Sequence, residues 1–120
     1  MAVGARRRSE SFRPSERLRK RSEFLRVQGE GRKVSTPHFL LFVLSGPAEG
    51  ARLGITVSKK VGGATERNRI KRLVREVFRR NKSLFPSHRD VVVVAKQAAG
   101  DLDYVGVLDE LRQALRKCAA

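Results

Sequence analysis

Residues 66–80 read ERNRIKRLVREVFRR, a stretch that combines one apolar helical stripe with a dense basic face. On a helical wheel of about 3.6 residues per turn, the apolar side chains fall together, namely Ile70, Leu73, Val74, Val77 and Phe78. The other side of the wheel carries Arg67, Asn68, Lys71, Arg72, Arg75 and Arg79. Seven of the fifteen residues are Lys or Arg, and only Glu66 and Glu76 oppose them. Because like charges about one turn apart repel each other, this helix favours a polyanionic partner.

The charge of the whole chain supports the same interpretation. A formal net charge of +15 and a sequence pI near 11.5 indicate nucleic acid or an anionic membrane surface as the partner. Residues 1–80 hold 21 Lys and Arg against 7 acids, whereas residues 81–120 hold 6 against 5. No apolar run approaches the roughly 20 residues that cross a bilayer, and the start MAVGARRRSE lacks a secretory apolar segment. We therefore expect a cytoplasmic protein without a membrane partner.

The length and composition predict one domain with a loose start. A chain of 120 residues suits a single domain. Residues 1–14 carry four arginines and almost no apolar side chain, so we expect a flexible basic tail before a domain over residues 15–120. Cys118 is the only cysteine, which excludes an internal disulfide and a multi-cysteine zinc site.

Patterns in the first half of the chain predict one helix and two strands. Residues 15–28 contain a short apolar pattern typical of a helix, with Ser22 in position to cap it and Gly29 and Gly31 to end it. Residues 38–45 are an apolar run, and residues 52–58 alternate apolar and polar side chains. The Gly46-Pro47 turn signal between these strands predicts a hairpin.

The second half predicts a helix, a strand and a last helix. The basic helix follows the Gly62-Gly63 pair, with Thr65 as its N-cap. Residues 90–95, DVVVVA, are typical of a strand buried on both faces, so we expect this strand at the centre of the sheet. Asp101 or Asp103 caps the last helix, whose apolar face comprises Tyr104, Val107, Leu108, Leu111 and Leu115. The predicted order is α-β-β-α-β-α, an α/β fold around a small central sheet.

The sequence offers no set of residues for catalysis by the protein itself. Metal-dependent nucleases need clustered carboxylates to hold Mg²⁺, and acidic residues are sparse here. We therefore expect no metal site formed by the protein. His38 and His88 lie far apart in the sequence and lack a nearby nucleophile motif, so a surface or structural role fits them better.

Two further groups bear on binding. Ser58, Lys59 and Lys60 follow a predicted strand and precede the glycine pair, where they widen the basic patch. Phe24 and Phe42 either stack on single-stranded bases or belong to the core. Both faces of the strand over residues 38–45 are apolar, so its periodicity leaves that choice open.

Residues 52–79, RLGITVSKKVGGATERNRIKRLVREVFR, closely resemble the bacterial ribonuclease P protein component. The hallmark of that family is an Arg-Asn-Arg helix preceded by a strand and a glycine turn, which Arg67, Asn68 and Arg69 match. The resemblance extends upstream through Leu18 and Phe24 and downstream through the last helix. It implies an α/β sandwich of two layers, in which the strand, basic helix and next strand form a left-handed crossover, against the usual rule for such units.

The resemblance also implies roles for particular residues. Members of the family bind a catalytic RNA by the basic helix, here through Arg67, Asn68, Arg69, Lys71, Arg72 and Arg75. A cleft between the first helix and the sheet holds the single-stranded 5′ leader of precursor tRNA, and Phe24 and Phe42 occupy its aromatic positions. We assign Ser58, Lys59 and Lys60 to the same cleft. Gln28 departs from relatives that have another aromatic residue there, which weakens stacking at that end.

The implied function is that of a noncatalytic subunit of an endoribonuclease. In this family the RNA carries the active site and its Mg²⁺ ions, and the complex removes the 5′ leader during tRNA maturation. We expect one protein per catalytic RNA. A ribosomal protein or general RNA chaperone is the alternative, since the same basic composition suffices for it. A DNA-binding module is a third reading, although no dimer element or second recognition helix is evident.

Overall fold

The computed structural model describes residues 14–96, 99–100 and 102–119. The elements are α1 (Arg21–Glu30), β1 (Arg32–Ser35), β2 (Phe39–Ser45), β3 (Arg52–Val57), α2 (Ala64–Arg80), β4 (Arg89–Ala95) and α3 (Tyr104–Ala119). Short 3-10 turns cover Pro14–Glu16, Lys59–Val61 and Lys82–Leu84. The basic tail predicted over residues 1–14 lies outside the described residues, except that Pro14 begins the first 3-10 turn.

Helix α2 buries the stripe that its sequence predicts. Ile70, Val74, Val77 and Phe78 are almost fully buried, and Leu73 packs beside them. The N-cap lies two residues earlier than predicted, because Gly63 and not Thr65 caps the helix and Thr65 lies inside the first turn. At the other end, the Asn81 side chain donates a hydrogen bond of 3.0 Å to the Val77 carbonyl, which satisfies one of the last carbonyls of the helix.

The four strands are hydrogen-bonded in the order β1-β2-β4-β3. The predicted hairpin of β2 with β3 is therefore wrong, because β4 lies between them. Strand β4 pairs antiparallel with β2, with Phe42 opposite Val92, and parallel with β3, with Gly54 opposite Val92. A strand of consecutive valines buries the most apolar surface when both of its faces are covered and both of its edges are paired. It therefore takes the central place that its sequence predicts.

Strand β1 was not predicted from the sequence. Its four residues include one buried apolar side chain, Val34, which is too little for a periodic signal. The strand pairs antiparallel with β2 through a tight turn closed by Thr36, whose hydroxyl accepts a hydrogen bond of 2.9 Å from the Phe39 N–H. The observed order is thus α-β-β-β-α-β-α.

The two faces of the sheet bury different partners. Phe39, Leu41, Val43, Val91 and Val93 point to the main core, where α2 and α3 pack on them. This face and its helices form the expected sandwich of sheet and helix layers. The opposite face carries a smaller cluster, and α1 lies across it with Leu18 and Val27 buried and Phe24, Phe42, Leu44, Val92 and Val94 around them. The face of β2 with Phe42 is thus the less covered one.

Helix α1 begins at Arg21, later than its sequence predicts, and Ser22 does not cap it. Lys20 is the N-cap residue, and the Glu23 carboxylate reaches back to accept hydrogen bonds of 3.3 Å from the backbone N–H groups of Lys20 and Arg19. A carboxylate at this position satisfies two free donors and suits the positive end of the helix dipole. The residues before Lys20 are therefore free to pair with the sheet.

Helix α3 begins as predicted. Asp103 Oδ1 accepts a hydrogen bond of 2.8 Å from the Gly106 N–H, so Asp103 caps the helix, while Asp101 lies outside the described residues. Val107, Leu111 and Leu115 are buried against the main core. The Tyr104 hydroxyl accepts a hydrogen bond of 2.9 Å from Asn81, which ties the start of α3 to the end of α2.

Candidate nucleic-acid interface

The outward face of α2 carries a row of polar side chains. Asn68, Arg72 and Arg75 are exposed, and Lys71 is partly exposed next to them. None of the other described side chains forms an ion pair with Lys71, Arg72 or Arg75. Their charges are consequently available to an anionic partner, and guanidinium groups bind phosphate with two parallel hydrogen bonds.

A groove of about 570 Å³ runs along this face. It is lined by Arg17, Asn68, Arg72, Arg75, Glu76 and Arg79. Glu76 is the one acid in that lining, and it already forms ion pairs with Arg79 at 3.2 Å and Arg80 at 3.6 Å. The groove is therefore strongly cationic although α2 contains two glutamates.

Two arginines of the predicted binding set are partly buried. Arg69 Nη1 donates a hydrogen bond of 3.2 Å to the Gly100 carbonyl, so this side chain turns toward the loop before α3. Arg67 has a buried Nε without a hydrogen-bond partner in the described part of the chain. An unpaired buried donor costs free energy, which a bound acceptor would recover. Arg69 thus has a structural contact of its own, while Arg67 keeps one donor without a partner among the described residues.

The cleft predicted between the first helix and the sheet corresponds to the space beside α1. The Phe24 ring packs against Gly54 of β3, where the glycine leaves room for it. A Cβ added at Gly54 would lie 2.7 Å from Cζ of Phe24, a distance that forces the ring to move. Gly54 therefore determines how deeply Phe24 sits on the sheet.

Phe24 also faces a second hollow of about 270 Å³. Its lining combines apolar and cationic side chains, namely Arg17, Leu18, Arg19, Phe24, Leu53, Ile55 and Arg75. Half-buried aromatic rings next to arginines are the typical means of binding single-stranded nucleic acid without dependence on sequence. The geometry thus gives Phe24 access to a ligand.

The other residues assigned to the cleft do not line this hollow. Phe42 is half-buried in the smaller cluster and lines neither of the two hollows described above. Ser58, Lys59 and Lys60 are exposed at the end of β3 and in the following turn, and they also line neither hollow. The structure places Arg75 at the hollow with Phe24, whereas Phe42 shares the apolar cluster of Phe24 without lining that hollow, and the lysine pair belongs to neither.

Sequence reasoning missed Arg17 and Arg19. Both stand in the segment before α1, which forms an isolated parallel bridge from Arg17 to Leu53 and a hydrogen bond of 2.9 Å from the Leu18 N–H to the Leu53 carbonyl. Leu18 is buried, and its two neighbours point outward. The alternation of arginine, leucine and arginine is a signal of a strand-like segment, and the prediction of a helical pattern over residues 15–28 is wrong at this point.

An ion-pair network holds α1 on the sheet. Asp90 is completely buried in β4 and accepts hydrogen bonds from Arg52 at 2.8 Å and from Arg26 of α1 at 2.7 Å. Arg52 also reaches Glu23 of α1 at 3.1 Å. The hydrogen bond to Asp90 raises the pKa of Arg52. Burial alone would raise the pKa of Glu23, but backbone N–H groups and Arg52 lower it.

His38 has a structural place, as its sequence context predicts. Its backbone N–H donates a hydrogen bond of 2.9 Å to Glu110 Oε1, and its Nδ1 contacts Glu110 Oε2. This contact joins the start of β2 to α3. Burial opposes the charge of Glu110, but hydrogen bonds from Thr36 and His38 outweigh it and lower the pKa of the carboxyl group.

We expect Glu110 to make the fold sensitive to acid. Its pKa in the folded protein lies below the ordinary value of 4.5, so its contribution to stability is complete above that value and is lost as pH falls through the folded pKa. The free energy of unfolding, measured by urea denaturation between about pH 6 and about pH 3, should therefore depend less on pH in Glu110→Gln than in the wild type. Glu30→Gln, at an exposed position, is the control. Equal pH dependence in wild type and Glu110→Gln would contradict the role of this carboxylate.

His88 and Cys118 line neither the groove nor the hollow. His88 is exposed, and Cys118 is partly buried with a pKa raised by burial. Among residues 14–96, 99–100 and 102–119, no three His, Cys, Asp or Glu side chains lie close enough together to hold a metal ion. In that same part of the chain, no helix has the length and apolar character to cross a membrane.

Comparisons with known proteins agree on one family. A family model described as Ribonuclease P matches residues 12–119. The ribonuclease P protein component of Syntrophus aciditrophicus is 42% identical over 107 residues, which cover 89% of this chain and 90% of that protein. The structure of the RNase P protein from Thermotoga maritima is 37% identical with a TM-score of 0.77, over 85% of this chain and 96% of that chain. A mutant RNase P protein of Staphylococcus aureus is 34% identical with a TM-score of 0.80, over 88% and 89% of the two chains.

Proposed function

The chain belongs to the ribonuclease P protein family, and on that premise we propose which RNA each of its two surfaces binds during tRNA processing. As a ribonuclease P protein component it acts in tRNA processing as part of a ribonucleoprotein. The outward face of α2 binds the catalytic RNA, and the hollow at Phe24 binds the single-stranded 5′ leader of precursor tRNA. One protein binds each catalytic RNA, and the complex works in the cytoplasm.

The charge and exposure of α2 carry this proposal. Arg72 and Arg75 are exposed beside Lys71 without an ion-pair partner among the described residues, and the groove they line holds one acid that is already paired. Neutralising RNA phosphates with such side chains releases counterions, which is the main source of nonspecific affinity for nucleic acid. The repulsion among these cations also falls when the RNA is bound.

The chemical step belongs to the RNA in this proposal. Several acidic side chains that the structure describes already have structural partners, since Asp90 and Glu23 hold α1, Glu110 holds β2 and Asp103 caps α3. The protein therefore supplies binding and orientation, while the RNA supplies the active site and its Mg²⁺ ions. Substrate affinity gained through the leader offsets the repulsion between two RNAs when Mg²⁺ is scarce.

The direct test measures cleavage of precursor tRNA by a bacterial ribonuclease P RNA at low Mg²⁺, with and without the protein. Two substrates are compared, one with a long leader and one with the leader trimmed to a single nucleotide. We expect the protein to restore cleavage at the correct site and to favour the long leader. Binding of both RNAs without a selective change in rate or affinity would support a general RNA chaperone instead. Tighter binding to ribosomal RNA than to ribonuclease P RNA would support a ribosomal protein.

Phe24→Leu tests the assignment of the hollow in the same assay. Leucine keeps an apolar side chain against Gly54 and removes the ring that can stack on a base. Because stacking of one base contributes about 1 to 3 kcal/mol, we expect affinity for the long-leader substrate to fall about tenfold or more. Affinity for the trimmed substrate should stay the same, and Leu25→Ala, at an exposed position of α1, is the control. Equal losses for both substrates would show that Phe24 acts only through the fold.

A further inference from the structure

The groove on α2 and the hollow at Phe24 meet at two arginines. Arg17 and Arg75 line both spaces, one from the segment before α1 and the other from α2. Both side chains are exposed. The basic groove therefore continues into the apolar hollow at this pair, so a single strand can follow one path from the groove to Phe24.

The backbone of Arg17 is fixed at this junction. The parallel bridge to Leu53 holds it on the free edge of β3, and the buried Leu18 anchors the next residue beside Gly54. On the preceding side, Glu16 forms an ion pair of 2.9 Å with Lys82, which follows α2. Arg17 thus belongs to the folded surface, and its guanidinium reaches a ligand without the cost of ordering a loose tail.

The side chains around the junction favour a ligand that presents both a phosphate and an exposed base. Arg17, Arg19 and Arg75 offer charge to a phosphate, while Phe24 and Ile55 offer an apolar wall to a base. A duplex buries its bases inside, so it cannot present both groups to one hollow of about 270 Å³. Single-stranded RNA presents both groups at every nucleotide.

We infer that Arg17 and Arg75 form a phosphate clamp, which binds the backbone of the 5′ leader where it enters the hollow at Phe24. The inference rests on the proposed function and deepens it in two ways. It adds Arg17 to the residues that contact the substrate. It also assigns Arg75, which was placed on the surface for the catalytic RNA, to the boundary between the catalytic RNA and the leader. The clamp sets the position of one leader phosphate and leaves the base sequence unread.

The test measures binding of precursor tRNA by the assembled complex of protein and catalytic RNA. Arg17→Ala is expected to weaken binding of the long-leader substrate about tenfold, because a charge-assisted contact is lost. The dependence of log affinity on log salt should become shallower by about 0.7, the value for one phosphate contact on a single strand. Binding of the trimmed substrate and assembly with the catalytic RNA should not change. Arg116→Ala removes the same charge from an exposed position on α3 and is the control.

A neutral backbone linkage locates the contacted phosphate. Methylphosphonate is placed at one leader linkage at a time, and affinities are compared for the wild type and Arg17→Ala. At the clamped position the neutral linkage should weaken wild-type binding and leave Arg17→Ala unaffected, so the two losses are not additive. Arg17→Lys should retain much of the affinity, since it retains the charge.

The outcomes separate the clamp from the proposed function. If the wild type prefers the long leader and Arg17→Ala keeps that preference in full, the clamp is wrong and the proposed function stands. Additive losses at every leader linkage would likewise overturn the clamp. If the wild type shows no preference for the long leader, the leader-binding function fails, and the clamp fails with it.

Discussion

Asp90→Ala is expected to lower the free energy of unfolding by about 3 kcal/mol, measured by urea denaturation at neutral pH. The Asp90 carboxylate is completely buried and accepts two hydrogen bonds of 2.8 Å from Arg52 and one of 2.7 Å from Arg26. Removing it leaves the Arg52 guanidinium, whose side chain is 17% exposed, without its main partner. Breaking a buried pair from one side typically costs about 3 to 5 kcal/mol, and Arg26 can turn to water, so we expect the lower end.

A loss of this size is a large part of the stability of a small domain. The surroundings of Asp90 cannot close over the gap, because Gly46 packs on the carboxylate with its backbone and has no side chain to fill the space. Asp90→Asn keeps the shape and one acceptor, so its loss should be smaller. Asp109→Ala is the control, since Asp109 is exposed and lies 3.5 Å from Arg112 on the surface. We expect it to cost less than about 1 kcal/mol, and an equal cost in both alanine variants would contradict the importance of the network.

The network also predicts that stability and leader binding are linked in this protein. Arg26 and Glu23 are on α1, so the contacts to Asp90 and Arg52 hold the helix that carries Phe24. Asp90→Asn should therefore weaken the preference for a long leader as well as the fold. Binding to the catalytic RNA through α2 should be affected less, because α2 packs on the other face of the sheet from α1.

The sequence predicted the helices and strands better than it predicted which strands pair with each other. The stripe of α2 and the valine run of β4 each repeat a strong period, and both predictions are confirmed by the burial of Val74, Val77, Val91 and Val93. Periodicity says which side chains are buried, but it does not say which strand pairs with which. The hairpin of β2 with β3 was wrong for that reason, because the competition of β4 for the central place is a property of the whole sheet.

The same limit applies to the candidate site. The basic face of α2 could be predicted because all its residues are on one element, where spacing determines direction. Arg17 could not be predicted, because its position depends on a bridge to Leu53 that is 36 residues away. Phe24 and Phe42 had equal sequence support, and only the packing of α1 on the sheet places Phe24 at a hollow and Phe42 outside it.

Replacing both Arg67 and Arg72 with alanine is expected to weaken assembly with the catalytic RNA about a hundredfold. Each side chain offers a charge-assisted hydrogen bond to phosphate, and loss of one such contact typically costs about tenfold. The dependence of log affinity on log salt should become shallower by about 0.9 for each lost contact to a helical RNA backbone, if the value for duplex DNA is applied. The measurement is a titration of labelled ribonuclease P RNA with protein at several salt concentrations.

A matched variant separates position from net charge. Arg116 and Lys117 are exposed in the last turn of α3, and replacing both with alanine removes the same two charges from a different surface. We expect this control to change assembly much less than the α2 variant. If both double variants weaken assembly equally, the chain binds RNA by its total charge, and the assignment of α2 fails.

The free energy of unfolding supplies the second half of this test. The Arg67 Nε is buried without a hydrogen-bond partner in the described residues, and Arg72 is exposed, so neither side chain is expected to stabilise the protein in the absence of RNA. The α2 double variant should therefore unfold at the same or a higher urea concentration than the wild type. Weaker assembly combined with undiminished stability would mean that Arg67 and Arg72 contribute to RNA binding and not to the fold. Weaker assembly caused by unfolding would instead appear as a loss of stability and would remove the support for an RNA contact at Arg67.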